Sequence, residues 1–193
     1  MFRNIIYSAC CVVALLGGTT VVEGVKGMKM EHVRITEPKQ FFQITKEQAE
    51  NIKSIDFDRI PIGMDFNVHF FRIMPSEIGR ITFDGVHLIS PSTLSNLLAG
   101  YAVTSLVIKG TPLTLNDVRL ILVRIDPHSI RNISLIDNGL SGNGSKLAML
   151  IAEAVYGKMC LDELNIRGNG LSKTSLDCLS TSDTPSVHKI IVE

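Results

Sequence analysis

The sequence lacks any long run of like charge. Its 19 Lys and Arg are balanced by 19 Asp and Glu, for a formal net charge of +0. A general nucleic-acid binder needs a basic stripe to neutralise phosphates, so that class is set aside. A second long apolar segment is also lacking. Ile5 to Leu16 is the marked apolar run, and it falls short of the roughly 20 residues that span a bilayer as a helix. Catalytic signatures are missing as well, and no enzyme activity is expected. There is no G-x-S-x-G elbow. The five histidines, His32, His69, His87, His128 and His188, show no H-x-x-x-H pairing and have no cysteine neighbours, which argues against a metal site. The glycine-rich stretch from Gly139 to Lys146 invites a phosphate-loop reading. Its order is scrambled to Gly144-Ser145-Lys146, and Leu147 stands where a dinucleotide fingerprint needs its third glycine. No cofactor is expected.

What is present at the N-terminus reads as an export signal. Arg3 supplies the positive start, Ile5 to Leu16 the apolar stretch, and Val22-Glu23-Gly24 the small or aliphatic residues at a cleavage site. Residues 1–24 are therefore expected to be a signal peptide and residues 25–193 the mature domain. The expected location is extracellular, with an uncleaved signal anchor or retention in a secretory compartment as the alternative. Of the four cysteines, Cys10 and Cys11 belong to the signal, which leaves Cys160 and Cys178. An even number in an exported domain permits one disulfide; two buried free thiols is the other reading. Asn132-Ile133-Ser134 and Asn143-Gly144-Ser145 are glycosylation sequons, meaningful in a eukaryotic secretory route. Asn143, in a loop, is the better acceptor.

A repeat runs through the rest. Ile130-Arg131-Asn132-Ile133-Ser134-Leu135-Ile136-Asp137-Asn138-Gly139-Leu140 and Leu161-Asp162-Glu163-Leu164-Asn165-Ile166-Arg167-Gly168-Asn169-Gly170-Leu171 both read L-x-x-L-x-L-x-x-N-x-L, with Ile allowed for Leu. Weaker copies begin at Met30, Ile52, Ile78 and Val103, and a truncated one at Val187. The spacings are mostly within or close to the range of about 20–29 residues found in leucine-rich repeats, which the motif resembles. The segments between the strands look helical. Thr45 with Gln48 and Thr114 with Asp117 have capping-box spacing, and Ser90-Pro91 looks like another helix start. Gly144 or Ser145 opens a helix with Leu147, Leu150, Ile151 and Ala154 on one face. Asp65 to Met74 shows no obvious helix.

The repeat lengths resemble the ribonuclease-inhibitor-like subclass. That resemblance implies an α/β solenoid of about six to seven repeats, with a curved parallel sheet on its concave face and helices on its convex face. It also implies that the ninth-position Asn138 and Asn169 hydrogen-bond turn backbone from inside the stack. Thr111, Val86, Ile60 and Pro38 hold that position earlier, so the N-terminal repeats are expected to be less regular. The third, fifth and seventh residues of each strand would face a partner. Asp56, Asp58 and Asp84 form an acidic end. Lys109, Arg131 and Arg167 form a basic end, with Val107 and Ile136 as apolar members between them. A protein or peptide partner suits such a mixed face. An enzyme or enzyme inhibitor on the same scaffold, or a structural matrix component, are the alternatives.

Overall fold

The computed structural model describes residues 31–90, 92–155, 158–171, 175 and 187–192. The expected signal peptide, residues 1–24, and Cys178 lie outside these. The strands are β1 (His32–Ile35), β2 (Ser54–Asp58), β3 (Pro61–Ile62), β4 (Glu77–Asp84), β5 (His87–Leu88), β6 (Ala102–Lys109), β7 (Asn132–Ile136), β8 (Glu163–Asn165) and β9 (Ile190–Ile191). The helices are α1 (Pro38–Phe42), α2 (Lys46–Ala49), α3 (Met64–Ile73), α4 (Thr93–Leu98), α5 (Leu115–Arg124) and α6 (Gly144–Val155). The fold is α/β.

Seven strands form one sheet in the order β1-β2-β4-β6-β7-β8-β9. Each pairs in parallel with the preceding strand of that sheet. The repeat frame sets this register: Ile55, Ile81, Leu106, Ile133 and Leu164 lie side by side, as do Phe57, Phe83, Ile108 and Leu135. All of them are at most 1% exposed. The residues between them on the same strands are mostly half-exposed, so one sheet face is core and the other is open. Consecutive helices from α2 to α6 pack on their neighbours. Their buried residues join the strands in one apolar core, each fully buried Ile, Leu or Phe contributing about 1.5–3 kcal/mol.

Two devices close the turns that follow the strands. Toward the C-terminus Asn138 and Asn169 are fully buried. Asn138 Oδ1 accepts from the Thr111 amide at 3.1 Å, and its Nδ2 donates to the Ile108 carbonyl at 3.0 Å. Asn169 repeats the pattern one unit on, accepting from the Asn138 amide at 3.1 Å and donating to the Leu135 carbonyl at 2.7 Å. The side chains satisfy buried backbone groups that would otherwise be orphaned.

Earlier, where Ile60 and Val86 replace the asparagine, the turns pair with one another. β3 and β5 form a second, two-stranded parallel sheet. The His87 amide donates to the Ile60 carbonyl at 3.0 Å, and the Ile89 amide to the Ile62 carbonyl at 3.1 Å. In these N-terminal units main-chain pairing does what an amide side chain does later. Their core is also aromatic. Phe41 packs 4.3 Å from Phe66, and Phe57 lies 5.4 Å from both Phe41 and Phe83, ring centroid to ring centroid.

One segment left open by the sequence is resolved, and one expectation about a helix start is corrected. Residues 64–73 are a helix, with Phe66, Asn67, Phe70 and Ile73 facing the core. Ser92, not Ser90, stands at the N-cap of α4: the Ser90 hydroxyl instead pairs with the Thr93 hydroxyl at 2.8 Å. The capping boxes at Thr45 and Thr114 are both formed. Among the described residues no helix is long and apolar enough to cross a membrane.

Candidate functional site

The open sheet face presents side chains in rows, because parallel in-register pairing places equivalent repeat positions about 4.8 Å apart. One row runs Arg34, Asp56, Thr82, Val107, Ser134, Asn165, Ile191. Beside it Asp58, Asp84, Lys109 and Ile136 align. Arg167 lies beyond the end of β8, yet it continues this row. The Asp137 amide donates to the Arg167 carbonyl at 3.0 Å, just as the Gly110 amide donates to the Ile136 carbonyl at 2.9 Å. The sheet thus brings Asp56, Asp58, Asp84, Val107, Lys109, Ile136 and Arg167 onto one surface.

Their surroundings differ from the sequence expectation in two respects. Ile136 is only 8% exposed. It is part of the floor and does not stand out as an anchor; Val107 and Ile191 are the half-exposed apolar residues of the neighbouring row. The acidic end is also not a bare negative patch. Arg34 donates to Asp58 at 2.6 Å, Arg59 reaches the same carboxylate at 3.1 Å, Lys109 meets Asp84 at 3.3 Å, and His32 lies 3.4 Å from Asp56. One strand step is about the length of an ion pair, so opposite charges in adjacent repeats pair across the strands. Desolvation pushes the Asp58 carboxyl up, but hydrogen bonds from Arg34 and Arg59 outweigh it and hold the group below its ordinary value. At the basic end Arg167 is exposed. Arg131 is occupied in part by the Cys160 carbonyl at 3.1 Å.

Sequence reasoning passed over Arg59. Its signal is positional: it holds the place that Gly85, Gly110 and Gly168 hold in other repeats, and Asp137 holds it in one more. All five have a positive φ, between 52° and 72°. Arg59 adopts this left-handed conformation although it is not glycine, with its side chain 80% exposed on the rim of the face. Such a conformation costs roughly 1–2 kcal/mol for an ordinary L residue.

Of the remaining candidates, only Asn132 lies on this surface. Asn132 is half-buried on the sheet face, paired with Ser105 and Glu163. Asn143 sits immediately before α6, and its carbonyl accepts the Leu147 amide at 2.8 Å. Cys160 is exposed, and the question of its pairing with Cys178 falls outside the described residues. Gly144 has a packing role: a side chain there would come within 2.6 Å of the Gly170 carbonyl oxygen of the neighbouring turn. Compared with protein-family models, with curated proteins and with solved structures, the chain matches none.

Proposed function

We propose that the chain is an exported leucine-rich-repeat solenoid of the ribonuclease-inhibitor-like type, and that it binds a protein or peptide partner through its open sheet face. The fold part of this reading is supported by strands added in sequential order, a repeated strand–turn–helix unit and the two internal asparagines at the ninth position. Export rests on the N-terminal sequence pattern alone.

The observation that carries the binding reading is the row from Arg34 to Ile191. Seven consecutive strands present it in register, and the helices leave it uncovered. The face mixes exposed cations at Lys109 and Arg167, half-exposed apolar residues at Val107 and Ile191, and carboxylates already paired with cations. Paired charges set orientation and tune association rate more than affinity. Affinity then comes from the apolar members and from Arg167, which has no ion pair among the described residues.

The test begins with a partner captured by the secreted protein. Lys109→Glu with Arg167→Glu should weaken binding at least tenfold, a loss of about 1.4 kcal/mol or more, while circular dichroism shows the fold retained. Lys146→Glu with Glu153→Lys, both on the exposed side of α6, should do little. If the α6 pair abolishes binding and the sheet pair does not, the binding face is misassigned.

A further inference from the structure

The helical side presents a different surface. Helix α3 buries Phe66, Asn67, Phe70 and Ile73. Its outward side is unusually apolar: Met64 is 81% exposed, Val68 61% and Phe71 48%. Ile89, 67% exposed, packs beside Gly63 and extends this patch at the start of the helix. Exposed apolar residues scattered singly need no explanation, but a contiguous group marks an interaction site.

The same side of α3 carries Asp65 and Arg72, both exposed. Neither makes an ion pair or side-chain hydrogen bond among the described residues. This contrasts with the sheet face, where most charges are paired. Residues of a helix advance by about 100° each. With Val68 at the centre of the outward face, Met64 and Phe71 therefore fall about 40–60° to one side, and Asp65 and Arg72 about 40–60° to the other.

We infer that this face pairs with the same face of a second copy of the chain, α3 against α3 and antiparallel about a two-fold axis. A two-fold of this kind keeps each edge on its own side and reverses direction along the helix. Val68 then meets Val68 of the second copy near the axis. Met64 meets Phe71 along the apolar edge. Asp65 of each copy meets Arg72 of the other along the charged edge, twice per dimer. This is the self-complementarity that an isologous interface requires. A zero net charge on the chain adds no long-range repulsion between copies. One helix and its flanks bury less than the roughly 800 Å² per partner of a standard stable interface, so the association is concentration-dependent. The open sheet face stays free in such a dimer, which would be bivalent toward its partner.

Sedimentation equilibrium of the purified protein up to about 500 µM tests this, well above the range of functional weak contacts. The mass should rise from one chain toward two with concentration. Val68→Arg should hold it at one. Asp65→Arg and Arg72→Asp should each weaken association, because each places like charges opposite one another. The double variant Asp65→Arg with Arg72→Asp should restore it, because the swapped charges still meet as opposites. A wild-type protein that stays monomeric overturns the inference. So does a dimer indifferent to Val68→Arg, or a double variant no tighter than the single ones. All variants lie on exposed positions, and thermal melts that match the wild type show that the changes act on association.

Discussion

At the scale of single residues, Asn138 and Asn169 do most with least. A buried amide costs free energy unless its donor and acceptor are both satisfied. Each side chain here meets that condition by closing backbone groups of the preceding repeat's turn. Asn138→Ala would orphan the Thr111 amide and the Ile108 carbonyl together, and each unsatisfied buried group costs about 1–3 kcal/mol. The expected loss is therefore about 2–6 kcal/mol, read in a denaturant titration as a lower midpoint at unchanged slope. Asn138→Asp keeps the acceptor but not the donor, and should recover only part of the loss. A cost below about 0.5 kcal/mol for Asn138→Ala would mean that the asparagine is not what closes the turn. The two asparagines were legible in the sequence because they recur at one repeat position. The substitute at Ile60 and Val86 was not, since main-chain pairing between turns leaves no side-chain signature.

At the scale of elements, the strands of the seven-stranded sheet were legible throughout. Their inward residues alternate as Ile, Leu or Phe, and a repeat offset fixes their register. Helices with a side-chain cap, at Thr45 and Thr114, were legible too. Helix α3 was not. It starts at Gly63 without a capping side chain, it buries the polar Asn67, and it exposes Met64, Val68 and Phe71. Apolar residues on both sides blur the period that would have marked it. The turns after the strands are coupled in a way that only the structure reveals. The Asp137 carboxylate occupies the space that a side chain at Gly168 would need, and Gly168 itself has a φ of +72°. Gly168→Ala should therefore cost more than the roughly 1–2 kcal/mol of the left-handed conformation alone. Adding Asp137→Gly should recover the excess, and a double-mutant cycle in denaturant would show a favourable coupling above about 0.5 kcal/mol. Strict additivity would show that the Asp137 side chain moves aside at no cost.

At the scale of the whole molecule, the chain divides its internal support between an aromatic N-terminal half and an asparagine-closed C-terminal half, while one sheet runs through both. That continuity makes the open face a single surface. Which residues share it was readable from the repeat frame. How they sit on it was not. The cross-strand pairs of Arg34 with Asp58 and Lys109 with Asp84 depend on side-chain reach between repeats, and the burial of Ile136 on its shielding by neighbours.

The central claim is that a partner meets this face, and contact mapping tests it most directly. A photo-crosslinking residue would be placed in the protein at Val107 on the open sheet or at Val123, 71% exposed on α5. After irradiation with the natural partner mixture, the adducts would be identified by mass spectrometry. The account predicts a discrete adduct from position 107, lost when Arg167→Glu is added, and none of that species from position 123. The same adduct from position 123, or none from position 107 while the partner still binds, would contradict it.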